Sequence, residues 1–112
     1  MAKLPVKPHV PTHAEKFEEV LSEVLALHTR KSKDYGSDED PLANIKASAE
    51  FGVEPWIGAL VRLNDKIYRL KRHASGHALA NETAEDSLID ICVYAPIALV
   101  LFREAVEASK EK

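Results

Sequence analysis

The feature that most constrains this chain is a nearly uncharged run of fifteen residues, 88–102, close to its end. Asp90 is the one charged residue in that run. At about 100° per residue, a helix over this run points apolar side chains in every direction, which is typical of a helix buried on most sides. We therefore expect Asp90 to lie inside the protein, where a carboxylate needs a partner.

Length and composition predict one soluble globular domain. The chain has 112 residues, of which 46% are hydrophobic and 29% are charged, and its net charge is −3. This negative charge argues against bulk binding to nucleic acid. The single cysteine, Cys92, excludes an internal disulfide and favours a reducing cytoplasm. The 88–102 run is shorter than the ~20 residues that span a bilayer, and no secretory signal is visible, so we expect no membrane partner.

The start of the chain predicts an extended arm followed by a helical domain. Residues 1–11 contain three prolines and few large apolar side chains, so the single helical domain is expected over 12–112. Thr12 and Glu15 form a capping-box pattern at the start of the first helix. Apolar residues at helical spacing continue to about Ser32, where we expect this helix to end.

Capping and helix-breaking residues define three further helices after a polar loop over 33–40. They are predicted from Asp40-Pro41 to Phe51-Gly52, from Pro55 to about His73, and from Thr83 with Asp86 to about Ser109, with a kink at Pro96. The third is expected to bury Trp56, Leu60, Leu63, Ile67 and Leu70. The fold class is therefore all-α, a compact bundle of three long helices and one short helix. So few neighbours cannot cover the fourth helix, which predicts a homo-oligomer formed through it.

Two acidic residues one turn apart, Asp86 and Asp90, have two interpretations. As an i and i+4 pair they would hold Mg²⁺, which prefers oxygen ligands and shares them with nucleotide phosphates. Alternatively, Asp90 forms a buried ion pair with Arg62 or Arg69, and Asp86 is an ordinary acid in a first helical turn. The residues alone leave both interpretations open.

The third helix carries a second candidate group within about two turns. Arg62, Lys66 and Arg69 are suited to bind phosphate, and Asp65 adds another carboxylate. The competing interpretation is a solvated charged face with pairs inside the helix.

The basic end of the first helix and the loop after it form a third candidate. Lys33 and Tyr35 precede the flexible Gly36, and together they are suited to close over a phosphate or a base. The competing interpretation is a basic last turn that complements the helix dipole, followed by an ordinary turn.

Three motifs in this order resemble the phage-encoded nucleotide-modification-associated domain 1 family. The motifs are Lys33-x-Tyr35-Gly36, Arg62-x-x-Asp65-Lys66-x-x-Arg69-Leu70, and the segment from Glu85 to Tyr94. The resemblance covers about residues 13–103. It implies a role in phage deoxynucleotide metabolism, in the host cytosol.

More distantly, the helical layout is similar to that of MazG-like all-α nucleoside triphosphate pyrophosphohydrolases. In those enzymes carboxylates on two adjacent helices bind Mg²⁺, which activates water against the α–β phosphate linkage. They place Glu-Glu-x-x-Glu on the helix where this chain has Arg62, Asp65, Lys66 and Arg69. The resemblance therefore implies a thinner metal site and a more cationic pocket here.

Together these patterns predict a cytoplasmic, phage-type protein that binds a nucleotide between helices, with no catalytic residue assigned. If it is an enzyme, the expected reaction is MazG-like release of pyrophosphate; the alternative is non-catalytic binding of a nucleotide or a nucleotide-derived signal. The predicted phosphate ligands are Lys33, Arg62, Lys66 and Arg69, the base contacts are Tyr35 and Tyr94, and the Mg²⁺ ligands are Asp65, Asp86 and Asp90.

Overall fold

A computed structural model describes residues 8–35, 42–77 and 83–110, and all regular secondary structure within these ranges is helical. The helices are α1 (His13–Tyr35), α2 (Ala43–Lys46), α3 (Pro55–Ala74) and α4 (Ala84–Lys110). A 3₁₀ helix, Ala47–Phe51, follows α2 directly. The prediction of an all-α chain with three long helices and one short helix is confirmed.

Two capping boxes form where the sequence predicts them. At the start of α1, the Glu15 amide donates to Thr12 Oγ1 at 3.2 Å, and Glu15 Oε1 accepts from the Thr12 amide at 3.3 Å. Thr83 and Asp86 repeat this exchange at the start of α4, at 3.1 and 3.2 Å. Each box satisfies backbone donors that a helix start otherwise leaves without partners.

Helix α1 continues further than predicted. It runs to Tyr35, so Lys33 and Tyr35 are helical and the prediction of a loop there is wrong. The physical reason is that no strong helix breaker precedes Gly36. The side chains of Lys33 and Tyr35, and the predicted helix start at Asp40-Pro41, lie outside the described residues.

Glycines end the middle elements as expected. Gly52 adopts a left-handed φ of 77° after the 3₁₀ helix, and Gly76 has a φ of 90° after α3. Such backbone conformations favour glycine because it lacks a Cβ. The short second helix therefore ends at the predicted residue, although its last part is 3₁₀ rather than α-helical.

Helices α3 and α4 pack antiparallel and form the body of the protein. The Trp56 and Phe102 rings meet edge to face with centroids 5.4 Å apart, and Lys66 pairs with Asp90 further along. From the first contact to the second, the residue number rises along α3 and falls along α4, so the two helices run antiparallel. The buried core between them and α2 consists of Ile45, Ala59, Ile97, Ala98 and Leu101.

This core is small, and much apolar surface stays exposed. The long axis of the chain is 74 Å and its radius of gyration is 19.2 Å, so the helical bundle is elongated. Every described residue from 8 to 23 is exposed, because the first half of α1 projects from the body. The exposed large apolar side chains of the long helices are Phe17, Val20, Leu21, Leu25, Ile57, Leu60, Val61, Tyr68, Leu88, Leu99, Val100, Phe102 and Val106.

The expectation that the 88–102 run is buried on most sides is therefore wrong for a single chain. Ile97, Ala98 and Leu101 are buried, but Leu99 and Val100 are about half exposed. Helix α3 covers one face of α4 and α1 contacts it over a short stretch, so the other faces stay exposed. No helix among the described residues is long and apolar enough to cross a membrane.

Candidate functional site

An ion pair between α3 and α4 is the centre of the candidate site. Lys66 Nζ lies 3.0 Å from Asp90 Oδ2, and their side chains are only 18% and 19% exposed. A charge in such a partly buried place loses much of its hydration, so each member needs the other. The sequence predicts a partner for Asp90 without choosing between a metal ion and an arginine, and the structure gives it the Lys66 ammonium, a group that the sequence analysis assigned to phosphate.

Three cations share one face of α3 beside this pair. Arg62, Lys66 and Arg69 follow one another at steps of four and three residues, which places them within a narrow arc of the helix. Arg62 and Arg69 are exposed, whereas Lys66 is half-buried. We call this surface, formed by Arg62, Lys66, Arg69 and Asp90, the charged side. It can present two guanidinium groups to an anion next to a fixed lysine–aspartate pair.

Two of the three predicted Mg²⁺ ligands, Asp65 and Asp86, are exposed, whereas Asp90 is partly buried. Asp86 is exposed and its Oδ2 accepts the Thr83 amide, so it serves the start of its own helix. Asp65 is exposed on α3. Within residues 8–35, 42–77 and 83–110, no three His, Cys, Asp or Glu side chains form a group that could hold a metal ion. The Mg²⁺ ion therefore stays a prediction.

The predicted base contacts have different outcomes. Tyr94 is partly buried and packs against the hydrophobic core, and stacking on a base through its remaining exposed surface stays a prediction. A contact through its hydroxyl stays a prediction. Lys33 and Tyr35 cannot be placed relative to the charged side, because their side chains lie outside the part of the chain that the structure describes.

The sequence did not point to two features of α4. Ser87, three positions before Asp90, is a fully buried polar residue. Lys46 lies 3.8 Å from Glu104, an exposed pair that links α2 to α4. No local pattern predicts that second pair, because its members are 58 positions apart in sequence.

Comparison with protein-family models, curated proteins and solved structures finds no match to this chain. The family resemblance therefore stays a prediction from the motifs, and the site has to be interpreted from its own residues.

Proposed function

We propose that this protein binds a nucleotide through its phosphate groups on the charged side of the α3–α4 pair. The observation that carries the proposal is the half-buried Lys66–Asp90 pair with Arg62 and Arg69 on the same face of α3. Phosphate oxygens accept several hydrogen bonds at once, and guanidinium groups supply them in pairs.

Metal-free binding is the form that the contacts favour. A Mg²⁺ ion on Asp90 would have to compete with the Lys66 ammonium, which already lies 3.0 Å from the carboxylate. The guanidinium groups of Arg62 and Arg69 can bind phosphate without an ion, whereas Mg²⁺ would join one or two carboxylates to the phosphate oxygens and keep several waters. This supports a binding or sequestering protein ahead of a MazG-like pyrophosphohydrolase, which needs the metal.

The choice of a nucleotide among phosphorylated ligands comes from the sequence. The three ordered motifs resemble a family associated with phage deoxynucleotide metabolism, and the charged side supplies only the phosphate contacts. A panel of ligands is therefore part of the test: the four deoxynucleoside triphosphates, the four ribonucleoside triphosphates and inorganic pyrophosphate.

Calorimetric titration of the full chain with this panel, in EDTA and then in Mg²⁺, tests the proposal. We expect binding of at least one nucleotide in EDTA, and a loss of about 10- to 100-fold in affinity in Arg62→Gln and in Arg69→Gln, as charge-assisted hydrogen bonds predict. Arg103→Gln is the matched control, because this exposed arginine lies on α4 away from the charged side.

Three outcomes would overturn the binding proposal: no heat with any ligand, tighter binding of pyrophosphate than of every nucleotide, or equal weakening by Arg103→Gln. Release of pyrophosphate in Mg²⁺ is measured on the same samples. Turnover that Asp90→Asn abolishes would replace the metal-free form by the pyrophosphohydrolase.

A further inference from the structure

One face of α4 carries an apolar stripe that is largely exposed: Cys92 is partly buried and Phe102 also meets the Trp56 ring, while the other four members are exposed. Six residues compose what we call the α4 stripe, and they recur at steps of four, three, four, three and four. This is the heptad spacing at which one helix packs against another in a left-handed pair. The six residues are Leu88, Cys92, Ala95, Leu99, Phe102 and Val106.

The α4 stripe is separate from the buried face of its helix. At about 100° per residue, its centre lies about 130° around α4 from the direction of Ser87, Ile97, Ala98 and Leu101, which face the core. Leu88, Leu99, Phe102 and Val106 are all exposed beyond a third of their surface. Monomers rarely leave a continuous apolar stripe of this length in water.

The chain exposes more surface than a compact monomer of its mass. It exposes 9088 Å², whereas a compact monomer of 12.4 kDa exposes about 6,100 Å². Its radius of gyration of 19.2 Å compares with about 13 Å for a compact domain of this length. Each subunit of a permanent dimer commonly buries about 1,000 to 2,500 Å², which is half of the total interface area. The excess exposed area of about 3,000 Å² is larger than this.

We propose that a second copy of this chain covers the α4 stripe, with the two α4 helices antiparallel about a two-fold axis near residue 97. The spacing of the stripe is the same in both directions, so an antiparallel copy meets it in register. The facing pairs are then Leu88 with Val106, Cys92 with Phe102, and Ala95 with Leu99, each formed twice.

Side-chain size favours this orientation over a parallel one. Each of the two central pairs places a large side chain opposite a small one, Phe102 against Cys92 and Leu99 against Ala95, which fills space evenly. A parallel pair would place Phe102 against Phe102 and Ala95 against Ala95, a crowded layer and an empty one. No residue of the α4 stripe is charged, so the face meets its own copy without like-charge repulsion.

The interface is independent of the proposed nucleotide site. Asp90 lies about 160° around α4 from the centre of the α4 stripe, by the same step of about 100° per residue. The charged side therefore stays open in the dimer, and a failure of either proposal leaves the other intact.

Sedimentation equilibrium of the full chain tests the interface with a closely matched pair of variants. Leu99 is 48% exposed and lies on the α4 stripe, whereas Val100 is 47% exposed and points about 120° away from the centre of the stripe. We expect a dimer for the unmodified chain and for Val100→Glu, and at least a 100-fold weaker dimer for Leu99→Glu, because a two-fold interface contains each substitution twice. Leu88→Glu should behave like Leu99→Glu, and circular dichroism of each variant checks that the helices remain.

The projecting start of α1 is the competing occupant of the α4 stripe, and Leu21→Glu tests it. Leu21 is exposed on α1 and has no place in the proposed interface, so this variant should stay dimeric. A monomeric unmodified chain at 100 μM or above, dissociation by Val100→Glu, or dissociation by Leu21→Glu would each overturn the proposal.

Cysteine cross-linking tests the orientation in a Cys92→Ala background. Ala95→Cys and Leu99→Cys chains should form a disulfide with each other when mixed, and neither should do so alone, because only the mixed pair brings the two Cα atoms within about 7 Å. Cross-linking of Ala95→Cys chains with themselves would contradict the antiparallel arrangement.

Discussion

Ser48 occupies the space that a Cβ on Gly58 would need. A Cβ built on Gly58 would lie 2.7 Å from Ser48 Oγ and 3.0 Å from Ser48 Cβ, closer than side chains approach. The Ser48 hydroxyl in turn donates a hydrogen bond to the Val53 carbonyl at 3.2 Å. This contact holds the 3₁₀ helix against the start of α3, and with it the short α2 that contributes Ile45 to the core.

Gly58→Ala should therefore destabilise the protein although alanine is the better helix former. We expect the free energy of unfolding to fall by about 1 to 3 kcal/mol, since overcrowding outweighs the ~1 kcal/mol of helix propensity gained. Urea denaturation measures the loss. Asn64→Ala, at an exposed position of α3, is the control and should change stability by less than about 0.5 kcal/mol. In Ser48→Gly chains the same glycine change should cost little, and an undiminished cost there would contradict the contact.

Asp90→Asn should destabilise the chain because it leaves the half-buried Lys66 ammonium without this carboxylate. We expect a loss of about 2 to 4 kcal/mol in the free energy of unfolding at neutral pH, from thermal or urea melts. Glu104→Gln is the matched control: it removes the acid of an exposed pair, Lys46–Glu104, and should cost less than about 0.5 kcal/mol.

An increase in the free energy of unfolding of Asp90→Asn would contradict the ion-pair interpretation. A gain in stability is what removal of one carboxylate from a repelling cluster predicts, and it would favour a metal or ligand site over the ion pair. A Lys66→Met, Asp90→Asn double-mutant cycle separates the pair from its surroundings, and we expect a coupling of at least about 1 kcal/mol.

The two capping threonines should differ in their effect on stability. Thr83 starts α4, whose first turn already contains the fully buried Ser87, so Thr83→Ala should cost about 1 kcal/mol of global stability. Thr12 starts the projecting half of α1, where every described residue to 23 is exposed. Thr12→Ala should therefore speed hydrogen exchange in the first turns of α1 and leave the global transition nearly unchanged. Equal effects of both changes on the global transition would show that α1 unfolds together with the body.

The start of α1 should also respond to acid through His9 and Glu15. His9 Nε2 lies 2.8 Å from Glu15 Oε2, and this contact, followed by the hydrogen bond from the Thr12 amide, lowers the pKa of the Glu15 carboxyl. A lowered carboxyl pKa contributes stability above the unfolded value of about 4.3, and that contribution disappears as the pH falls through the folded value. We expect His9→Ala to raise the Glu15 pKa toward its ordinary value in an NMR titration. His13→Ala is the control and should leave it unchanged; an unchanged pKa in His9→Ala would contradict the assignment.

Local chemistry explains the helix boundaries that the sequence predicts correctly. Thr12 and Thr83 start helices because their hydroxyls satisfy amides within three residues, and Gly52 and Gly76 end them because they accept positive φ. Each of these signals involves neighbours in sequence, so no knowledge of the fold is needed. The same argument accounts for the error at Lys33–Tyr35, where a change to polar residues was interpreted as a helix end without a breaker.

Long-range partners are what the sequence could not assign at the candidate site. The isolated charge of Asp90 predicts a partner, but Arg62, Lys66 and Arg69 are all within reach of a helix packed at an unknown rotation and height. The packing of α3 on α4 places the Lys66 ammonium at the Asp90 carboxylate. The sequence left Asp86 as either a metal ligand or an acid of the first helical turn. The hydrogen bond from the Thr83 amide shows that Asp86 caps the start of α4.

By itself the sequence determined that this chain is helical, where most of its helices start and stop, and that one aspartate needs a cation, because hydrophobic periodicity, caps and an isolated charge act over a few residues. Only the tertiary structure decided that the cation is Lys66, that Gly58 must stay small, and that α4 buries one face and exposes another. Those outcomes depend on how two helices pack side by side, because each helix can cover only the surface of its neighbour that faces it.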